Sequence, residues 1–176
     1  VGETLAIAIP VRVSDGASAD DAVEPLEIVV TGTNDAPVTG AADTEAVVTE
    51  DADVGGSLQA AGAIAFTDAD LSDGHTASFA FVDTTLPAAG QLGSFAVALD
   101  SAATGGLVGS VGWSFSVDND DVQFLAAGQR VTQRYDVTIG DGLGGSATLR
   151  VSVHVDGAND APVIELDPDA GHADRL

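Results

Sequence analysis

Apolar and polar side chains alternate with a period of two through most of the chain. Leu5, Ile7, Ile9, Val11 and Val13 share one face of "LAIAIPVRV", and Trp113, Phe115 and Val117 alternate with Ser114 and Ser116. Tyr135, Val137 and Ile139 repeat the pattern, while Leu149, Val151, Val153 and Val155 oppose Arg150, Ser152 and His154. This alternation predicts strands with one face on a core and the other in water. Gly and Asp clusters such as "DADVGG", "DLSDG", "ATGG", "DNDD" and "GDGLGG" punctuate the runs, and no segment carries a capped 3.6-residue period. Roughly seven short strands between turn signals predict an all-β fold, an antiparallel β-sandwich.

The pattern also repeats at domain length. "GTNDAPV" at Gly32–Val38 returns as "GANDAPV" at Gly157–Val163, with Asn34 and Asn159 spaced 125 positions apart. "GETL" at Gly2–Leu5 precedes "GQRV" at Gly128–Val131 by 126 positions, and "VRVSDG" at Val11–Gly16 precedes "VTIGDG" at Val137–Gly142 by the same interval. The two stretches therefore correspond with a single one-residue slip, the signature of an internal repeat. Residues 1–33 read as the closing strands of a preceding, truncated unit. Residues 34–163 read as one complete unit, and 164–176 as a linker or the start of the next.

Composition narrows the class. Asp and Glu number 28 against five basic residues, all of them Arg, for a formal net charge of −23. Such a charge excludes nucleic acid and anionic membrane as natural partners. Hydrophobic content of 45% argues against disorder despite the acidity. Cysteine is absent, which removes the Cys…Trp…Cys pattern of antibody domains and leaves the wider immunoglobulin-like sandwich class. It also invites either a cytoplasmic setting or a metal in place of disulfide staples. No apolar run approaches the roughly 18 residues needed to span a bilayer, so membrane insertion is not expected.

The acidic residues cluster at strand ends. Any single Asp in a turn is as readily explained by turn preference as by function. "TDADLSDG", however, places Asp68, Asp70 and Asp73 within six residues, and "TED" sets Glu50 beside Asp51 before a Gly turn. Hard oxygen donors at this density suit Ca²⁺, which takes six to eight of them. An EF-hand loop counted from Asp68 would need Gly at Asp73 and Glu at Phe79, so that motif is rejected. The calcium-binding nonapeptide needs tandem copies, and "GDGLGGSAT" occurs once.

The order "VTEDADVGG", "AIAFTDADLSDG" and "VTIGDGLGGSATLRVSVHVDGANDAPVI" resembles the cadherin layout of calcium ligands. It is closer still to the bacterial cadherin-like VCBS repeat, whose pattern is met by Gly62–Asp70, Trp113–Phe115, Leu125–Gly128, Tyr135–Gly145 and Val155–Pro162. The resemblance covers essentially all of 34–163 and implies tandem sandwiches in giant secreted adhesins of the RTX type. Carried over residue by residue, it implies that Asn34 and Asp35 share Ca²⁺ with Asp68, Asp70 and Asp141. Glu50, Asn159 and Asp160 would then face a following unit. Asp15 repeats the Asp141 position in the truncated unit. The cadherin Asp-Arg-Glu element has no match; "DNDD", with Asp118 and Asp120, lies in that region but differs in type. Asp51 and Asp73 complete the candidates.

Other chemistry is sparse. His75, His154 and His172 lack zinc-type spacing, and His154 on a polar strand face reads as a solvated surface residue. No Cys nucleophile and no nucleophile-elbow Ser motif is present, so an enzyme is not expected. Sugar binding usually needs an exposed aromatic platform, whereas Trp113 and Tyr135 sit in core-like alternation. The expectation is a calcium-stiffened extender or adhesion module on a bacterial cell surface. Its partners would be neighbouring repeats of its own chain, and a host or biofilm surface ligand. The alternatives are a glycan- or protein-binding sandwich module and an accessory domain of a large secreted hydrolase.

Overall fold

The computed structural model describes residues 2–14, 16, 22–53, 55–86 and 90–162. Ten strands account for its regular structure: β1 (Thr4–Val13), β2 (Ala22–Thr31), β3 (Val38–Ala42), β4 (Glu45–Thr49), β5 (Ser57–Thr67), β6 (Thr76–Thr84), β7 (Ser94–Ser101), β8 (Gly109–Asp118), β9 (Arg130–Gly140) and β10 (Ser146–Asp156). Helical structure among the described residues is limited to two single 3₁₀ turns, at Thr104–Gly106 and Asn119–Asp121.

Strands β3–β10 form two four-stranded sheets, in the orders β4-β10-β9-β6 and β3-β5-β8-β7. Their alternating apolar faces meet in one core that includes Ile64, Phe66, Val111, Phe115, Tyr135, Val137, Val151 and Val153, each at most 1% exposed. Aromatic rings bridge the sheets: Phe95 of β7 stacks on Tyr135 of β9 at 4.0 Å between centroids and lies 5.7 Å from Trp113. Burial of rings this large stabilises by about 1.5–3 kcal/mol each, and it pushes the Tyr135 phenol up to about 12. Gly62, opposite Trp113, leaves room for the indole; a Cβ there would lie 2.6 Å from the ring.

One pairing departs from the all-antiparallel expectation. β4 runs parallel to β10, whereas every other described pairing is antiparallel. The chain changes sheet at Asp43 and Thr44 without reversing direction. Asp43 N–H still donates to Ala63 on β5, while Thr44 C=O accepts from Ser152 on β10. Trp113 Nε1 donates to the Asp43 carbonyl at 2.8 Å and holds the switch point. Continuing in the direction of β3, β4 can only meet β10 in parallel.

β1 and β2 form a separate two-stranded antiparallel sheet. Their register matches that of β9 and β10 position by position. Leu5 faces Val30, Ile7 faces Ile28 and Ile9 faces Leu26, as Val131 faces Val155, Gln133 faces Val153 and Tyr135 faces Val151. The one-residue slip falls in the connecting loop. Residues that are at most 4% exposed in β9 and β10 thus correspond to Leu5, Ile7, Ile9, Leu26, Ile28 and Val30, which are 40–61% exposed.

Strand directions define two ends of the sandwich. β5 spans eleven residues, about 33 Å at 3.3 Å per residue. The 32–37 linker arrives at the end where β5 finishes, here the proximal end. The chain leaves at the distal end, after β10.

Candidate metal centre

Three segments converge at the proximal end: the linker, the β5–β6 loop and the β9–β10 loop. The β5–β6 loop turns on its own carboxylates. Asp68 Oδ1 accepts the Asp70 N–H at 2.9 Å, the local bond that makes Asp a turn former. Oxygens of Asp68, Asp70 and Asp73 lie within 4.8 Å of one another. Asp68 and Asp73 are buried, and Asp70 is half-buried.

The linker docks on this loop and on its neighbour. Asp35 N–H donates to Asp70 Oδ2 at 2.7 Å, and Asn34 Nδ2 donates to Asp141 Oδ2 at 2.8 Å. Asp141 Oδ1 accepts the N–H groups of Leu143 and Gly145 at 2.7 and 3.0 Å. Gly145 is required by close approach, since a Cβ there would lie 2.1 Å from Asp141 Oδ2 and 2.9 Å from Ala36 Cα. Pro37, next along the linker, is buried.

Electrostatics at this end are unbalanced. The Asn34 amide and the backbone N–H groups of Leu143, Gly145 and Gly144 hold the Asp141 carboxyl below its usual range, against the opposing effect of burial. Asp73 is shifted the other way: burial raises it, and the charges of Asp70, Asp68 and Asp141 raise it further. Among the described residues, Asp73 Oδ2 and Asn34 Oδ1 are buried with no hydrogen-bond partner. Buried acceptors left unsatisfied cost about 1–3 kcal/mol, and carboxylates this close repel. Both problems disappear if a cation accepts these oxygens. The donor set is carboxylates and an amide oxygen, the hard ligands that suit Ca²⁺, and thus fits the ion.

His75 belongs to the same cluster. Its Nε2 lies 3.1 Å from Asp68 Oδ2 with both side chains fully buried, and its ring is 4.9 Å from that of Phe66. Along the sequence His75 is a lone His seven residues from Asp68, without ligand spacing, and so is not among the expected ligands. The available signal is adjacency: His75 follows Asp73 by two residues in the turn "LSDGH".

At the distal end Glu50 is 2% exposed, with Oε2 accepting the Ala158 N–H at 2.8 Å and Oε1 buried without a partner. Asp51 adopts a left-handed φ of 60°. Asn119 holds it on both sides, accepting its N–H at 2.8 Å and donating to its Oδ1 at 3.1 Å, and Gln123 donates to the same oxygen. These amides, Asn119 first, keep the Asp51 carboxyl below its usual range. Asn159 and Asp160 are exposed, and the Asn159 amide donates to the Asp160 carbonyl at 3.2 Å.

The structure therefore brings Asn34, Asp68, Asp70, Asp73 and Asp141 together, with Asp35 joining through its backbone while its side chain is exposed. Asp118 and Asp120 are exposed, and line a cleft with Gly55, Gly56 and Asp121. Asp15 and His172 lie outside the described residues. His154 is half-buried and bonded to Thr132 Oγ1 at 2.8 Å, less solvated than expected.

No protein-family model matches the chain, and no curated protein matches it. Among solved structures it is similar to the secreted serine protease VesC from Vibrio cholerae, with a TM-score of 0.30 and 12% identity. That similarity covers 72% of this chain and 24% of the protease chain.

Proposed function

We propose that this chain is a calcium-stiffened extender or adhesion module of a large secreted bacterial surface protein, of the VCBS or cadherin-like kind. The observation that carries the reading is the docking of Asn34 and Asp35 onto a nest of carboxylates with a buried, unpartnered Asp73 oxygen. In this reading β1 and β2 are the closing pair of a preceding sandwich, supported by their shared register with β9 and β10. The "NDAP" linker closes one unit and presents oxygens to the ion that fixes the next. Glu50, Asn159 and Asp160 await the same arrangement with a following unit. Trp113 and Tyr135 lie in the core, so neither offers a platform to a glycan.

Without metal, the carboxylates at the junction repel and the linker is a hinge held loosely by the Asn34 and Asp35 hydrogen bonds. With metal, the same charges become ligands and the hinge stiffens. Binding only to the folded state adds RT ln(1 + [L]/Kd), about 2.7 kcal/mol at a hundredfold excess over Kd. Affinity is expected at about 10⁻⁴–10⁻³ M, as for other extracellular modules. The melting temperature should rise clearly in millimolar Ca²⁺ and much less in Mg²⁺, which demands tighter octahedral geometry. Identical melting in calcium and in chelator would refute the reading.

A further inference from the structure

One face of the β1–β2 hairpin lies open among the described residues. Leu5, Ile7, Ile9, Val11 and Val13 of β1 share it with Leu26, Ile28 and Val30 of β2, each between 40 and 67% exposed. Together they present roughly 700 Å², more than the about 300–600 Å² of the largest apolar patch on an ordinary monomer. It is close to the about 800 Å² that each partner buries in a standard interface. Glu24, opposite Val11, is the charged member of the face and lies toward the hairpin's turn.

The edges of the hairpin are closed by proline. Pro10 and Pro25 stand directly opposite each other. A pair lacking both N–H groups fits a non-hydrogen-bonded position of the ladder, where backbone groups point away from the partner strand. The bond from Gly32 N–H to the Glu3 carbonyl, an odd number of steps along, sets the same alternation. Each outer edge therefore lacks a donor near its middle, which discourages strand addition. The open face remains. The inner faces of the two four-stranded sheets are already buried against each other, so the complementary surface that this chain itself offers is another copy of the same face.

We infer that two copies of this chain pair through the β1–β2 face. The dimer is isologous, with the two hairpins stacked as layers about 10 Å apart. The inference goes beyond the calcium reading and does not depend on it. An opposing sheet from elsewhere in the same polypeptide would compete for this face, and the experiment separates the two.

Sedimentation equilibrium of the full chain should give a dimer with a dissociation constant at about micromolar or tighter, equal in calcium and in chelator. Repulsion between chains at −23 opposes pairing, so added NaCl should tighten it. Ile28→Lys sets two unpaired charges in the interface and should weaken the dimer about a hundredfold. Val29→Lys, the next residue on the opposite, exposed face, should leave it within about twofold. Because the chain has no cysteine, thiol accessibility gives a second readout without a new charge. Ile28→Cys should react slowly with a thiol reagent where the chain is dimeric and fast on dilution, while Val29→Cys reacts fast throughout. A monomer at all concentrations overturns the inference, whether the Ile28→Cys thiol is open or covered by the chain's own residues. Assemblies larger than a dimer, the mark of edge pairing, overturn it too, as does equal loss of the dimer in Val29→Lys.

Discussion

Two copies of one seven-residue word sit in opposite circumstances at the two ends of the sandwich. In the first, Asn34 is half-buried against Asp141, the Asp35 N–H is bonded to Asp70 and Pro37 is buried. In the second, Asn159, Asp160 and Pro162 are all exposed, and the Asn159 amide donates to its neighbour's carbonyl. Six of the seven residues are the same, Thr33 standing against Ala158, and among the described residues the difference lies in the surface each copy meets. In the reading proposed above, a linker of this type is half of a site, and the carboxylate loops of the unit beyond it are the other half. The distal end shows the complementary half from the other side, in Glu50 with one buried oxygen left open.

The largest test of this comparison disturbs the proximal docking surface without substituting a linker residue. Gly145→Ala forces a Cβ into Asp141 and Ala36. Overpacking of that kind costs about 1–3 kcal/mol. It should also erase most of the calcium-induced rise in melting temperature, making the first copy behave like the second. Thermal melts with and without calcium check both parts.

A smaller effect separates the two copies directly. Asn34→Ala removes a hydrogen bond from a half-buried amide to an ionised carboxylate and should destabilise by about 1.5 kcal/mol. Asn159→Ala touches an exposed residue and should fall within about 0.5 kcal/mol of no change. Denaturant titration of the two variants in chelator measures the pair. Equal effects would remove the distinction between docked and free copies.

The smallest effect is the acid limb of stability. Asp141 is held low by Asn34, Asp136 by Arg150 and Asp156 by Arg130. A carboxyl depressed in the folded state stabilises above its unfolded value, near 3.8 here, and that stability is lost as pH falls through the folded value. Melting temperature in chelator should therefore fall on acidification below about pH 4. Asn34→Ala should flatten that limb by removing the Asn34 part of the Asp141 share, and Asn159→Ala should leave it unchanged. Salt should weaken the contributions of the exposed Asp136 and Asp156 pairs more than that of the buried Asp141.

Much of this architecture was legible along the chain because period-two alternation names a strand and its buried face together. Trp113, Phe115, Tyr135 and Val151 were readable as core for that reason. Alternation does not name a strand's partner, which is why the parallel β4–β10 pairing was not foreseen; it follows from the sheet switch at Asp43, a tertiary event. Asp68, Asp70 and Asp141 were legible through their turns and through the family resemblance. His75 was not, because its relevance depends on a contact with Asp68 that only folding creates. Nor could burial of Glu50 be read from "TED", since a carboxylate in a turn is ordinarily solvated.

The most direct measurement of the central claim is amide hydrogen exchange at the two matched linker positions, Asp35 and Asp160, with calcium and with chelator. The docked copy donates its Asp35 N–H to Asp70 and is expected to be protected in chelator, with a further gain when calcium is added. The Asp160 amide is expected to exchange quickly under both conditions in this chain. Contradiction would come from an Asp35 amide that exchanges as fast as that of Asp160 and does not respond to calcium.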